Sequence, residues 1–202
     1  MVSGRVTRVL VDANILYSRT LRDWLSLLYL RGGHGMFEVL WTEDVMAEVV
    51  YHKRKDNPFL SDKQVGGIRR KIEETFGDGA LIRGYHVDET LVYRDPGDAH
   101  IHAAAVHAGA DIVLTANDKD FNNLDELPYE IYTADDFFEL VDDSRPELVQ
   151  IAMREQLVYW VRRDGKSLPE ALKSAGAPEF GERIRRYLQN VDVARLLKGK
   201  LP

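Results

Sequence analysis

Residues 95–121 read DPGDAHIHAAAVHAGADIVLTANDKDF, a turn, a helix and a strand in immediate succession. The tripeptide DPG is a turn signal, and Asp98 stands where a helix N-cap belongs, before an alanine-rich run. Gly109 is placed to end that helix, and the apolar residues behind it predict a short strand. Acidic residues therefore lie at the start of the helix and directly after the strand, at Asp118 and Asp120.

Strand and helix patterns alternate through the first two thirds of the chain. This alternation predicts an α/β fold, in which a mostly parallel sheet is covered by helices on both faces as a three-layer α/β/α sandwich. The predicted strands are 5–11, 37–41, 111–115 and 130–132, with a further strand within 80–87. The predicted helices are 21–30, 43–55, 61–76, 100–108 and 134–141.

The remaining residues, 143–202, read as helices only. A capping box, Ser167 with Glu170, opens one helix, and Pro178 opens another. We therefore predict an α/β domain at 1–142 and an all-α C-terminal extension at 143–202, with 143–146 as the linker candidate. The extension carries 12 Lys and Arg against 8 Asp and Glu, whereas the first part carries 15 against 25.

Composition excludes several classes of protein. The 202 residues contain no cysteine, so disulfides, thiolate zinc sites and cysteine nucleophiles are ruled out. No stretch approaches the roughly 20 apolar residues of a membrane span, and we expect a cytoplasmic protein without a membrane partner. The net charge of −6 argues weakly against a generic nucleic-acid coat protein.

Acids recur at matching places in the alternating pattern. Asp12 directly follows the first strand, Glu48 lies on the helix after the second, Asp98 begins a helix, and Asp118 or Asp120 follows the next strand. Ligands of open α/β sheets bind at the carboxyl edge, where clustered acids repel each other unless a cation is present. Mg²⁺ and Mn²⁺ prefer carboxylate oxygens, and they can activate water and stabilise charge on a phosphodiester.

Each acid also has a purely structural interpretation. Asp12 could be a turn residue, Glu48 a solvated helix residue and Asp98 only a cap. Asp118 and Asp120 could be ordinary loop acids. Taken together, four acids at matching places of one α/β pattern favour a metal site over these separate explanations.

Other polar groups are less specific. His100 and His102 cannot share a helical face at a spacing of two, which argues against a histidine metal pair. Several basic groups are equally compatible with RNA phosphate contacts and with ordinary surface. They are His52 with the run 53–55, Arg162 with Arg163, and Arg183 with Arg185 and Arg186.

The motif VDANIL, the helix that carries Glu48 and the stretch 95–121, in this order, resemble a PIN domain over about residues 6–142. Within that superfamily the chain is similar to VapC-type toxins of bacterial toxin–antitoxin pairs. The resemblance implies an endoribonuclease that depends on Mg²⁺ or Mn²⁺ and cuts single-stranded or looped RNA, with tRNA and rRNA as candidate substrates. It also implies an antitoxin whose tail occupies the site, and a homodimer.

The resemblance assigns the acids residue by residue. Asp12 matches the first acid of the family, Glu48 the second and Asp98 the third. With a fourth acid, they are the implied metal ligands and catalytic residues. The helical extension exceeds a minimal toxin and resembles the extended members of the family.

The fourth acid departs from the family pattern. Family members often carry an Asp two residues after the Thr that follows this strand. In this chain the Thr is Thr115, and the residue two positions later is Asn117. Asp118 and Asp120 are neighbours that could substitute for it. Asn14 and Thr115 match polar positions that support the acids in the family.

Two other classes stay open. A catalytically inactive PIN-like scaffold that binds a protein partner would be consistent with loss of the fourth acid. A phospho-acceptor domain of receiver type also places acids at strand ends, but it needs paired acids after the first strand and a Lys after the last. Asp12 has no acidic neighbour, and residues 131–133 contain no Lys.

Overall fold

The centre of the fold is an all-parallel sheet. The computed structural model describes residues 5–33, 35–90, 93, 95–121, 127–160 and 167–190. In these residues the strands are β1 (Thr7–Val11), β2 (Phe37–Thr42), β3 (Leu81–Ile82), β4 (Ile112–Leu114) and β5 (Glu130–Tyr132). They form one sheet in the order β3-β2-β1-β4-β5, every neighbouring pair being parallel.

Helices connect and flank the strands, and local signals set their ends. Thr42 and Thr133 accept hydrogen bonds from first-turn amides, as N-caps do, and Gly109 ends a helix in the left-handed conformation at φ 58°. The described helices are α1 (Ala13–Tyr17), α2 (Arg19–Gly32), α3 (Glu43–Asp56), α4 (Asp62–Phe76), α5 (Ala99–Ala108), α6 (Ala134–Ser144), α7 (Pro146–Trp160), α8 (Leu168–Ser174) and α9 (Pro178–Gln189).

The topology changes direction at the central strand. From β1 the chain moves outward to β2 and β3, and it then returns across the sheet to place β4 on the other side of β1. Right-handed crossovers put α5, which makes this return, on the face opposite to the helices between β1 and β3. The predicted α/β/α sandwich is therefore confirmed, and a crevice opens between the carboxyl ends of β1 and β4.

The C-terminal helices continue the same hydrophobic core. The ring of Phe180 in α9 packs against Trp24 in α2 and Phe138 in α6, with ring centroids 5.0 and 5.1 Å apart. All three side chains are fully buried. Arg145 is the one non-helical residue between α6 and α7, so the candidate linker at 143–146 contains no extended segment.

A buried acid also joins the extension to α6. The carboxylate of Asp142 is almost fully buried and accepts hydrogen bonds from Arg183 (3.2 Å) and Tyr187 (2.8 Å). Arg162 and Arg163 of the sequence-based prediction lie outside the described residues. No helix in the described part of the chain is long and apolar enough to span a membrane.

Candidate active site

Asp12 is a buried carboxylate at the crevice between β1 and β4. The residue is only 4% exposed, and its backbone amide donates to the carbonyl of Leu114 at 3.0 Å. One carboxylate oxygen, Oδ1, accepts from the amide of Ala13 at 2.5 Å, which caps α1. The other, Oδ2, accepts from Asn14 Nδ2 and Thr115 Oγ1, both at 2.6 Å. Three donors therefore fix the orientation of this acid.

Asn14 and Thr115 also hold the loop behind β4. Asn14 Nδ2 lies 3.1 Å from Thr115 Oγ1, and Asn14 Oδ1 accepts from the amide of Ala116 at 3.0 Å. Thr115 Oγ1 accepts from the amide of Asn117 at 3.0 Å. Asn14 and Thr115, to which the family resemblance assigned a supporting role, thus both contact Asp12. Asn117 is exposed, and its contact with Thr115 is made by its backbone amide.

The surroundings of Asp12 disfavour its charge. Burial raises the pKa of this carboxyl above 3.8, and the negative charge of Glu48 raises it further. Hydrogen bonds from Thr115 and Ala13, with the positive charge of His100, lower the pKa and only partly offset the burial. An additional positive charge at this crevice would stabilise the ionised acid.

Glu48 is paired with His100, a contact that the sequence analysis did not predict. His100 Nε2 on α5 lies 2.9 Å from Glu48 Oε1 on α3, and the two side chains are 14% and 41% exposed. Burial lowers the pKa of His100, but the hydrogen bond and charge of Glu48, with the charges of Asp44 and Asp12, raise it above 6.5 overall. Among the described residues, Nδ1 of His100 is buried without a hydrogen-bond partner.

His102 points elsewhere, as the helical spacing predicts. Its Nδ1 lies 2.7 Å from the hydroxyl of Tyr129, away from the contact between His100 and Glu48. The spacing correctly excluded a shared face for the two histidines. It could not reveal the partner of His100, because Glu48 is 52 residues away in the chain.

Asp98 occupies the predicted N-cap position of α5, but its side chain does not cap the helix. Asp98 ends a 3₁₀ turn, Pro96–Asp98, and its side chain makes no cap hydrogen bond to α5. The backbone angles of Asp98 are φ −87° and ψ −2°, whereas most residues at this position have the extended backbone that lets the side chain accept from the first turn. The acid that accepts a hydrogen bond at this start is Asp95, from the amide of Gly97 at 2.8 Å. Asp98 itself is half-buried.

The two candidates for the fourth acid are Asp118 and Asp120. Asp118 begins a 3₁₀ turn behind β4 and is exposed, while the side chain of Asp120 lies outside the described part of the chain. The described side chains form no group of three or more His, Asp or Glu placed to hold a metal ion. The residue types nevertheless fit a hard divalent cation, because the acids offer carboxylate oxygens and Asp12 is buried beside the negative charge of Glu48.

Comparison with known proteins bears on this site. A protein-family model described as PIN domain matches residues 8–119, more than half of the chain. The matched span begins in β1 and contains Asp12, Glu48 and Asp98. Searches of curated proteins and of solved structures found no match.

Proposed function

The chain belongs to the PIN domain family, whose members are generally metal-dependent nucleases, and we propose that it is a metal-dependent endoribonuclease. The observation that carries the proposal is the buried carboxylate of Asp12 at the crevice between β1 and β4, oriented by Asn14 and Thr115. Glu48 faces the same region, since its charge raises the pKa of Asp12.

The proposal includes a divalent cation, Mg²⁺ or Mn²⁺. Asp12, Glu48, Asp98 and Asp118 would hold it, with Asp120 as the alternative fourth acid. When bound, the cation would polarise the phosphodiester and stabilise the charge that develops during hydrolysis. The chemistry of the donors supports this assignment, because each of these groups is a carboxylate.

The chain's own residues have separate tasks in this proposal. Asn14 and Thr115 keep the Asp12 carboxylate in one orientation, because their donors occupy its Oδ2. His100 holds Glu48 through the 2.9 Å contact across α3 and α5. The imidazole thereby fixes the position of the Glu48 carboxylate.

The biological setting follows the family resemblance. We propose a VapC-type toxin that cleaves RNA in the cytoplasm, acts as a homodimer and is bound by an antitoxin. In this proposal residues 1–142 carry the chemistry, and residues 143–202 form the helical extension. The motif around residues 95–121 supports the toxin subtype.

A second candidate is an inactive scaffold that binds a protein partner. Asn117 stands where the family often has an acid, and Asp118 beside it is exposed. The described acids also form no three-residue group around a common point. These observations favour a scaffold over other non-enzymatic functions.

Cleavage of total bacterial RNA by the purified protein with Mn²⁺, followed by 5′-end mapping, tests the proposal. We expect discrete cuts that disappear with EDTA and in Asp12→Asn. Glu74→Gln, an equal change of charge at an exposed position on α4, should cut normally. Absence of cuts after removal of copurified antitoxin would support the scaffold.

Thermal unfolding separates the metal site from the chemistry. A cation at about a hundred times its Kd should raise the Tm by about 5–10 °C, because it binds the folded state only. Asp12→Asn should lose this shift, whereas Glu74→Gln should keep it. An unchanged Tm of the wild-type protein in millimolar Mg²⁺ and Mn²⁺ would argue against the site.

A further inference from the structure

Three aromatic rings form a row on the surface beside the acids. The ring of His52 on α3 contacts Tyr51 on one side, with centroids 5.2 Å apart, and Tyr17 of α1 on the other, at 6.1 Å. Both contacts are edge-to-face. Tyr51 is 62% exposed and His52 is exposed, while Tyr17 is half-buried. We call Tyr17, His52 and Tyr51 the ring row.

The ring row begins next to the candidate active site. Tyr51 and His52 follow Glu48 by three and four residues, which places all three on one face of α3. Tyr17 ends α1, the short helix that starts directly after Asp12, and α1 packs against α3. The row therefore leads outward from the acids along the exposed surface of α3.

Two lysines accompany the rings. The Nζ of Lys53 lies 3.9 Å from the centroid of the Tyr17 ring, and the Nζ of Lys55 lies 6.0 Å from that of Tyr51. The Tyr17 hydroxyl donates to Asp56, and this hydrogen bond anchors the half-buried end of the row. Each end of the row thus presents an aromatic ring with an ammonium group beside it.

This combination has the chemistry of a surface for unpaired nucleotides. Exposed aromatic side chains stack with bases whose faces are free, and neighbouring Lys or Arg side chains contact the phosphates between them. Bases inside a duplex cannot offer those faces. Asp56 beside Tyr17 already offers Lys53 an opposite charge. The exposed rings together with Lys55 fit an anionic strand better than an apolar protein segment, which would offer the ammonium group of Lys55 no opposite charge.

We propose that the ring row, with Lys53 and Lys55, binds unpaired nucleotides next to the phosphodiester that is cut. The face of α3 beyond Glu48 is then the strand-binding surface, and it positions the RNA for cleavage. This inference rests on the proposed nuclease function, since the strand must pass the acids to be cut.

Binding of a labelled, unstructured RNA oligonucleotide to the full chain in EDTA tests the proposal without cleavage. Tyr51→Ala should weaken binding about tenfold, in line with the loss of one base–aromatic stack. Tyr51→Phe should bind as the wild type does, because it keeps the ring. An RNA duplex should bind more weakly, and Tyr51→Ala should not change its affinity.

Salt dependence tests the lysines. Lys55→Gln should reduce the slope of log K against log salt by about 0.7, the value for one phosphate contact on a single strand. Lys71→Gln, at an exposed position on α4, should leave the slope unchanged. Equal slopes for the two variants would overturn the assignment of Lys55.

The two proposals can fail separately. If Tyr51→Ala binds and cleaves RNA like the wild type, the strand-binding surface is wrong and the nuclease remains. If binding depends on the Tyr51 ring but no divalent metal supports cleavage, the surface stands and the nuclease assignment falls. An equal loss in Tyr51→Ala and Tyr51→Phe would also overturn the stacking role.

Discussion

Among single residues, Asp12 is the most deeply buried of the described acids in the candidate site, and three hydrogen bonds hold its carboxylate. Its two oxygens accept from Ala13, Asn14 and Thr115, yet burial still raises its pKa. These donors stabilise the ionised acid but bring no full positive charge to it. His100 Nε2 contacts the neighbouring Glu48 at 2.9 Å, and this contact links the two helices that flank the site.

The half-buried histidine His102 makes the free energy of unfolding depend on pH. Burial lowers the pKa of His102 below 6.5, although the charge of Asp88 opposes the shift. The folded state then binds fewer protons than the unfolded state, so the stabilising contribution is present above about pH 6.5 and is lost as the pH falls through the folded pKa.

We expect His102→Gln to remove this dependence. Between pH 7 and pH 5, the free energy of unfolding should fall more steeply for the wild type than for the variant. Urea unfolding at several pH values measures the difference between the two proteins. His107→Gln, at an exposed position near the end of α5, is the control. Parallel curves for wild type and His102→Gln would contradict the prediction.

At the scale of elements, one helix is capped by a side chain from another. The N-cap position of α9 is Ala177, which has no oxygen in its side chain. Asp135 of α6 accepts instead from the amides of Glu179 (3.1 Å) and Phe180 (2.8 Å). The start of α9 is therefore tied to α6 through amides that would otherwise lack partners.

Asp135→Ala should destabilise the protein by about 1–2 kcal/mol, as loss of a helix cap does. Asp135→Asn should cost less, because its amide oxygen can accept one of the two hydrogen bonds. Chemical unfolding of the three proteins gives both values. A loss that is the same for Ala and Asn would indicate that the charge, and not the cap, is what stabilises α9.

Helix ends could be predicted where the signal is local. Thr42 caps α3, and Gly109 ends α5, because each acts on residues within one turn. The strand predicted within residues 80–87 is confirmed at Leu81–Ile82, and Gly84 turns the chain after it at φ 76°. Asp98 stands at the predicted N-cap position of α5, but its side chain makes no cap hydrogen bond, because the preceding 3₁₀ turn gives it a helical backbone.

The sequence proposes which acids form the site, but it does not predict the contacts that Asp12 and Glu48 make. The position of Asp12 after a strand follows from the pattern alone, but its hydrogen bond to Thr115 joins residues 103 apart. The pairing of Glu48 with His100 likewise depends on how α3 and α5 approach each other. Neither of these two contacts is encoded in a local sequence motif.

For the whole molecule, one core includes the sheet and the C-terminal helices. Phe180 fills the space between α2 and α6, so its removal should leave a cavity. We expect Phe180→Ala to cost about 3–5 kcal/mol. Phe59→Ala, at a residue 95% exposed, should change stability by less than about 0.5 kcal/mol. Similar unfolding curves for the two variants would show that the extension is not part of the cooperative unit.

The return of the chain to β4 also has a consequence for biosynthesis. Thr115 follows Asp12 by 103 residues, and ribosomes add about 5–20 residues per second. Roughly 5–20 s of translation therefore separate the acid from the hydroxyl that orients it. During that interval a nascent chain can already pair β1 with β2, but it has no β4 to close the crevice. The candidate site is assembled late, after most of the matched domain has been made.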